Sequence, residues 1–479
     1  MRKLIPFLSA VSLLFSVSCA IAKPSEKQKK ITENALESNS TATTTTNTMP
    51  TVSTEVSSTT TETVPDKSVE GSWHYRGFIV DCNGKIVVYN DDILRKFSEP
   101  YAISCANIID TYNSEFSIDN AYEKMLREPN PTTLRSDDGH YVGQSIQLTL
   151  DADIQTKVYN YMKEHNIIGS FTILNADGAI KSLVSYPSYD ANAEFDKIIK
   201  EDHACLNRCL EPEVPGSTMK ILTSVLASKY GFNECQDAGY IPSVDVANWD
   251  VKNSKPYQSS VLRTNRQAFR FSSNCFYASF ALDIGADKLR KGLNEVFKYE
   301  TNLDFGLATL ENSIDLSTNA NLARAGFGQR EKVSPLYIGM ISNGVVTGEV
   351  FKPYIVNNTM DTQTMEILEH VSTEEKFNDI PKEYTTDTKN GMLDVANDLK
   401  FSVKDHVIYA KTGTAEVSDD DSRKDLHYIV ATVSDDKCTI ENTETIVFQY
   451  TNSPNEYASG DCTHMQEILN MIYKTGGDS

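Results

Sequence analysis

Basic charge is scarce in this chain. Its 479 residues carry 45 Lys and Arg against 66 Asp and Glu, a formal net charge of −21. A surface so acidic repels phosphate backbones and argues against nucleic acid as a partner. Histidine is scarce too. The eight present are scattered, with no HExxH and no paired spacing of the kind that holds a metal. No internal repeat is visible, which argues against solenoids and propellers. The length allows a full-sized core and more than one unit.

The one long uncharged run stands at the start. Met1-Arg2-Lys3 is basic, and residues 4–22 (LIPFLSAVSLLFSVSCAIA) carry no charge. Three readings stay open. Ala20-x-Ala22 fits the cleavage site of a secretory signal. The run is also about the length that spans a bilayer as an uncleaved anchor. Val17-Ser18-Cys19 has the form of a lipoprotein box, with Cys19 lipidated. All three send the chain across a membrane. Residues 23–70 are rich in Thr, Ser, Glu and Lys, cannot bury a core, and read as a disordered tether. Such a tether reaches on the order of 40 Å.

Nine cysteines leave eight beyond Cys19, and an exported chain permits disulfides. Cys438 and Cys462, flanking an expected strand pair, are the preferred couple. His203, Cys205 and Cys209 hint at zinc, but no second ligand pair stands nearby, so a loop disulfide or free thiols is the better reading.

Folded structure is expected from about residue 71. A small β-rich module should occupy 71–145, with a hairpin around Asn83-Gly84, and a larger domain 146–479. Residues 144–150 (QSIQLTL) alternate as a strand. Asp151 caps a helix whose Ile154, Val158, Tyr161 and Met162 share one face, and a second hairpin turns at Asp177-Gly178. Strands and helices then interleave to the end, which predicts a mixed α/β or α+β fold.

Chemistry concentrates in three places. Pro215-Gly216 turns into a helical pattern, so Ser217 lies in a first turn, where unpaired N–H groups favour negative charge. Lys220, three residues on, shares its face. If buried and neutral, it can take the serine proton. A second Ser-x-x-Lys, Ser434 to Lys437, holds two carboxylates that keep its lysine charged and wet. Ser272 and Asn274 precede a long apolar helix that would hold them rigid. Ser317-Thr318-Asn319 and Ser453-Pro454-Asn455 lack that context. Lys-Thr-Gly occurs twice. Lys474-Thr475-Gly476 ends a helix and reads as a cap. Lys411-Thr412-Gly413 sits on a β-prone run and continues as Thr414. On a strand, Lys411 and Gly413 point one way, Thr412 and Thr414 the other, and Gly413 would let a substrate backbone approach.

Together, Ser217-x-x-Lys220, Ser272-x-Asn274 and Lys411-Thr412-Gly413, in this order, resemble the penicillin-binding protein/serine β-lactamase superfamily. Flanking segments resemble its short class B penicillin-binding proteins. They are RGFIVDCNG (76–84), with Cys82 in place of an arginine; LTLDADIQ (148–155); LNRCLEPEVPGSTMK (206–220); and GFGQREKVSPLYIGMISNG (326–344), with Arg330 and Ser334 substituted. Cys275, directly after Asn274, is unusual for that family.

The resemblance implies an antiparallel central sheet flanked by helices. It also implies a D,D-transpeptidase outside the membrane that acts on peptidoglycan stem peptides ending in D-Ala-D-Ala. Ser217 would be the nucleophile and Lys220 its base, with Ser272, Asn274 and Lys411 relaying the proton. The N–H groups of Ser217 and Thr414 would form the oxyanion hole, and the hydroxyls of Thr412 and Thr414 would bind the substrate carboxylate. β-Lactam antibiotics would trap the same serine, no metal or cofactor is implied, and a membrane glycan polymerase is a partner of related proteins. Two rival readings are a β-lactamase of the same fold and a non-catalytic tethered sensor of β-lactams or muropeptides.

Overall fold

The computed structural model describes residues 75–91, 94–109, 117–132, 140–194, 203–243, 250–254, 260–371, 375–415, 425–451, 453 and 458–473. The expected export segment with Cys19, the tether and the Lys474-Thr475-Gly476 triplet lie outside these residues. Among the described residues no helix is long and apolar enough to cross a membrane.

The first hairpin forms where Asn83-Gly84 places it. Strands β1 (Ile79–Val80) and β2 (Ile86–Asp91) run antiparallel, with Gly84 at φ +82°. Asp81 organises the turn. Its carboxylate accepts from the N–H groups of Asn83 (2.9 Å) and Lys85 (2.8 Å), and from Ala152 at 3.3 Å. β3 (Leu94–Phe97) pairs with β2, and β4 (Ser145–Leu148) runs parallel to β1. Asp151 then caps α1 (Ala152–Glu164), accepting from Asp153 N–H at 3.0 Å and Ile154 N–H at 2.9 Å. Val158 and Met162 are buried, as their spacing predicts. β5 (Gly169–Asn175) and β6 (Ile180–Tyr186) make the second hairpin, with Gly178 at φ +95°.

Further along come α2 (Lys220–Lys229), β7 (Glu234–Asp237), β8 (Val261–Thr264), α3 (Asn265–Arg270) and α4 (Asn274–Ile284). They are followed by α5 (Pro335–Thr347), β9 (Val356–Met360), β10 (Ile367–His370) and α6 (Lys382–Leu399). β11 (Val407–Ala415), β12 (Leu426–Ser434), β13 (Glu444–Tyr450) and α7 (Cys462–Tyr473) complete the fold. The main sheet has the order β11-β12-β13-β5-β6, antiparallel throughout, and helices flank it. A second sheet, β10-β9-β4-β1-β2-β3, joins strands from before residue 100 to strands near 360.

Burial follows this layering. Every residue of β12 is buried, the polar His427, Thr432 and Ser434 included. Residues 335–346 of α5 are also buried on all sides, packed against β5 and β13. Ser334 caps α5 through Tyr337 N–H at 3.2 Å and Pro335 opens it, so serine serves the cap here. Beneath β6, the amide of Gln155 donates to the carbonyls of Ser104 (2.8 Å) and Leu183 (2.9 Å). It accepts from Leu183 N–H (2.9 Å) and the Ser182 hydroxyl (2.7 Å).

Two cysteine readings are settled by position. Cys438 and Cys462 are free thiols rather than a disulfide. Cys438 lies four residues past the end of β12, beside the Tyr409 hydroxyl at 3.2 Å. Cys462 follows Ala458, which touches Thr414, opposite the start of β12. Opposite ends of that nine-residue strand are roughly 26 Å apart, far beyond a disulfide's reach. Cys209 is buried with its thiol donating to the Val184 carbonyl at 3.2 Å, and among the described residues His203, Cys205 and Cys209 do not cluster as metal ligands.

Replacing Gln155 with alanine should orphan buried backbone groups of Ser104 and Leu183 and destabilise the protein by about 1–3 kcal/mol. Urea unfolding curves of the two proteins measure this directly.

Candidate active site

Ser217 is presented by a tight turn. Gly216–Met219 form a 3-10 turn that runs into α2, a tighter start than the α-helical turn expected. Gly216 sits at φ +54°, and a Cβ there would come within 2.7 Å of the Thr414 carbonyl oxygen. On the facing strand, a Cβ at Gly413 would lie 3.0 Å from Thr218 N. The two glycines therefore let the edge strand β11 press against the serine turn. The close approach at Gly413 is made by this turn, where the sequence reading had a substrate backbone.

Lys220 points from the start of α2 into a shell of oxygen. Its Nζ lies 2.8 Å from Ser217 Oγ, 2.7 Å from Asn274 Oδ1, 2.9 Å from the Ser272 carbonyl and 3.1 Å from Ser272 Oγ. The Asn274 amide is oriented by its Nδ2, which donates to the Lys252 carbonyl at 2.8 Å. Lys220 is fully buried, and the Phe327 ring lies 6.0 Å from its amine. Burial, and next the charge of Lys411, hold its pKa well below the usual lysine range.

Donor counting then fixes what the amine can do. A neutral amine has two N–H bonds and one lone pair. The Ser272 carbonyl and Asn274 Oδ1 can only accept, so they take the two N–H bonds. The lone pair is left facing hydroxyls, with Ser217 at 2.8 Å the nearer. The arrangement can deprotonate Ser217.

Lys411 approaches from β11. Its Nζ donates to Ser272 Oγ at 3.0 Å and to the Thr412 carbonyl at 2.8 Å. It is 1% exposed, and burial pulls it down to about 7. Ser272 Oγ thus bridges the two amines, one from α2 and one from the sheet edge. Thr412 and Thr414 are half-buried while Lys411 and Gly413 are buried, which matches the alternation expected of this strand. Thr414 Oγ1 accepts from Ala458 N–H at 3.2 Å, so the hydroxyl proton remains available to a ligand.

Ser272 itself stands at φ +52°, in the left-handed region that a non-glycine residue rarely occupies. A buried platform holds it there. The next residue, Ser273, donates to Asp237 Oδ2 at 2.7 Å and caps α4 through Phe276 N–H at 3.0 Å. Asp237 pairs with Arg263 Nε at 3.0 Å and accepts from Asn253 Nδ2 at 2.9 Å. Asn253 Oδ1 in turn accepts from Cys275 N–H at 3.0 Å. Cys275 is buried under the motif with its thiol against the Val251 carbonyl at 3.7 Å, and burial pushes the thiol up to about 12. Asp237, Asn253 and Arg263 were not singled out in the sequence. They lie 36, 20 and 10 residues before Ser273, and no local pattern links them.

The sequence decoys fall elsewhere. Thr318 caps the helix Asn319–Ala325 through Asn321 N–H at 3.1 Å. Asp435, in the second Ser-x-x-Lys, organises a turn by accepting from Thr439 N–H at 2.9 Å. Arg330 bonds to Asn321 Oδ1 at 2.8 Å.

A serine beside a buried amine, bridged through a second hydroxyl to a lysine on an edge strand, is an arrangement suited to acyl transfer. Residues 169–471 match the family model for the penicillin binding protein transpeptidase domain, and the chain belongs to that family. It is 27% identical over 344 residues to penicillin-binding protein 3 of Bacillus subtilis, covering 64% of this chain and 49% of that protein. It is 22% identical over 377 residues to a peptidoglycan D,D-transpeptidase FtsI homolog of Mesostigma viride, covering 66% of this chain and 62% of that protein. The chain therefore spans from about half to under two thirds of the length of these relatives. Its fold superposes on penicillin-binding protein A from M. tuberculosis, solved as an imipenem acyl-enzyme complex. The TM-score is 0.70 at 18% identity, covering 84% of this chain and all of that one.

Asp237→Ala should cost about 3–5 kcal/mol by stranding the Arg263 guanidinium in a buried site. Penicillin acylation should fall by more than the loss of folded protein accounts for. Acylation per folded molecule, measured beside the unfolding curve, separates positioning from stability.

Proposed function

We propose that this chain is a serine-type peptidoglycan D,D-transpeptidase working on the outer face of the cell membrane. The observation that carries the reading is the fully buried Lys220 amine 2.8 Å from Ser217 Oγ, with no carboxylate among its hydrogen-bond partners. Family membership and the named activity of the Mesostigma viride relative support it.

In this reading a stem peptide lies along the edge strand β11 and adds a strand to the sheet. Its terminal carboxylate meets the hydroxyls of Thr412 and Thr414 and the charge of Lys411. Ser217 Oγ attacks the penultimate D-alanine carbonyl while its proton passes to Lys220 Nζ. The N–H groups of Ser217 and Thr414 stabilise the oxyanion, a contribution of about 3–4 kcal/mol per donor in comparable sites. The proton then moves through Ser272 Oγ, which touches both amines, to the departing D-alanine nitrogen. An amine of a neighbouring stem peptide attacks the ester, forms the cross-link and frees Ser217. Water in its place would give carboxypeptidase activity. Penicillins follow the first half and stall as an ester. A hydrolytic β-lactamase needs a base for the second half, and among the described residues no carboxylate hydrogen-bonds to Ser217 or Lys220. Residues 1–70, as anchor and tether, would hold the domain in the wall space, within reach of a membrane glycan polymerase.

Intact-protein mass spectrometry after penicillin, followed by peptide mapping, tests the assignment. One antibiotic adduct is expected on Ser217, long-lived, and none on Ser217→Ala. An adduct on another side chain contradicts the site, and its rapid hydrolysis favours the β-lactamase.

Lys411 adds a pH test. Burial lowers it to about 7, so it is charged below that value and neutral above. The second-order rate of acylation by a carboxylate-bearing penicillin should fall as pH rises through about 7. Lys411→Arg, which stays charged, should react more slowly but lose that alkaline fall. An unchanged fall would assign the titration to another group.

A further inference from the structure

Far along the chain from the Ser217 motif, two imidazoles and a carboxylate converge. His165 closes the C-terminal end of α1, while His464 and Glu467 stand one turn apart on α7. One ligand atom from each lies within 4.8 Å of the others, and no other such group occurs among the described residues. We propose that His165, His464 and Glu467 form a divalent metal site of zinc type that fastens the last helix to α1.

Tyr161 sets the donor and acceptor roles of all three. Its carbonyl can only accept, and His165 Nδ1 lies 2.9 Å from it, so this nitrogen carries the proton. The Tyr161 hydroxyl donates its single proton to Glu467 Oε2 at 2.5 Å. It must therefore accept from His464, whose Nδ1 lies at 2.7 Å. In each neutral imidazole the lone pair is then on Nε2, away from Tyr161. Glu467 keeps its second oxygen for a ligand. A metal-binding histidine characteristically donates its other N–H to a carbonyl or similar acceptor, and here both do so to one tyrosine.

The rings also pack on one another. His165 stacks on Tyr161 with centroids 4.1 Å apart, and the two imidazoles meet edge to face at 5.3 Å. Around a zinc ion with bonds of about 2.0–2.1 Å, tetrahedral ligand atoms are about 3.4 Å apart. His165 and Glu467 are exposed, so small side-chain movements close the remaining gap. Two imidazoles and a carboxylate suit zinc better than calcium or magnesium, and water completes the fourth position. The site departs from the sequence reading, which found no metal-binding spacing. Its first ligand lies 299 residues from the second.

The test uses the full chain stripped of metal with a chelator and titrated with zinc chloride in a calorimeter. One saturable site is expected, with a rise in melting temperature that EDTA reverses. His464→Ala, and separately Glu467→Gln, should weaken binding at least about tenfold. Glu467→Gln retains an acceptor for Tyr161 and guards against a folding defect. Tyr161→Phe leaves every ligand in place but removes the hydroxyl that orients His464, and should weaken binding by about 10–100-fold. Penicillin labelling of Ser217 should be unchanged in all three. The proposal is overturned if the intact chain shows no saturable zinc binding. Affinity equal to the parent in both His464→Ala and Glu467→Gln would overturn it as well.

Discussion

A lysine amine kept out of water is the constraint around which the site is built. Lys220 has no exposed surface and no carboxylate among its hydrogen-bond partners. Two of its four oxygen neighbours can do nothing but accept. Burial, and next the charge of Lys411, disfavour the ammonium form more than the nearby Asp237 favours it. The fixed acceptors then turn the lone pair of the neutral form toward a hydroxyl. A neutral amine in a less ordered shell would have no preferred direction.

Other features of the fold hold that shell in place. Gly216 and Gly413 bring β11 against the serine turn, which sets Lys411 on the far side of Ser272. Ser272 occupies a strained backbone region because Ser273, one residue on, is fastened to the buried Asp237–Arg263 pair. The strain and its restraint lie in neighbouring residues, which is how such conformations persist at functional sites. Lys411 acts on Lys220 through its charge. A first proton on Lys411 raises the cost of a second on Lys220.

What the sequence could reveal follows from the range of each interaction. The hairpins at Gly84 and Gly178, the Asp151 cap and the strand carrying Lys411 depend on neighbours a few residues away, and spacing exposes them. Ser217 and Lys220 share a face because they are one turn apart. The convergence of three distant motifs came from resemblance to a family rather than from spacing. Longer-range features were invisible. Asp237 is an unremarkable acid at the end of a short strand, and nothing local says that it will hold Ser273. The Cys438–Cys462 reading failed because flanking a strand pair does not say which end of the strands each residue occupies. His165 and His464 come together only when α7 packs on α1.

The most direct measurement of the central claim is the protonation state of Lys220 in the resting protein. The chain can be labelled with lysine carrying nitrogen-15 at Nζ, with the Lys220 resonance assigned by its absence in Lys220→Met. The account predicts the chemical shift of a neutral amine at neutral pH, moving toward the ammonium position only on acidification. An ammonium signal for Lys220 at neutral pH would contradict it.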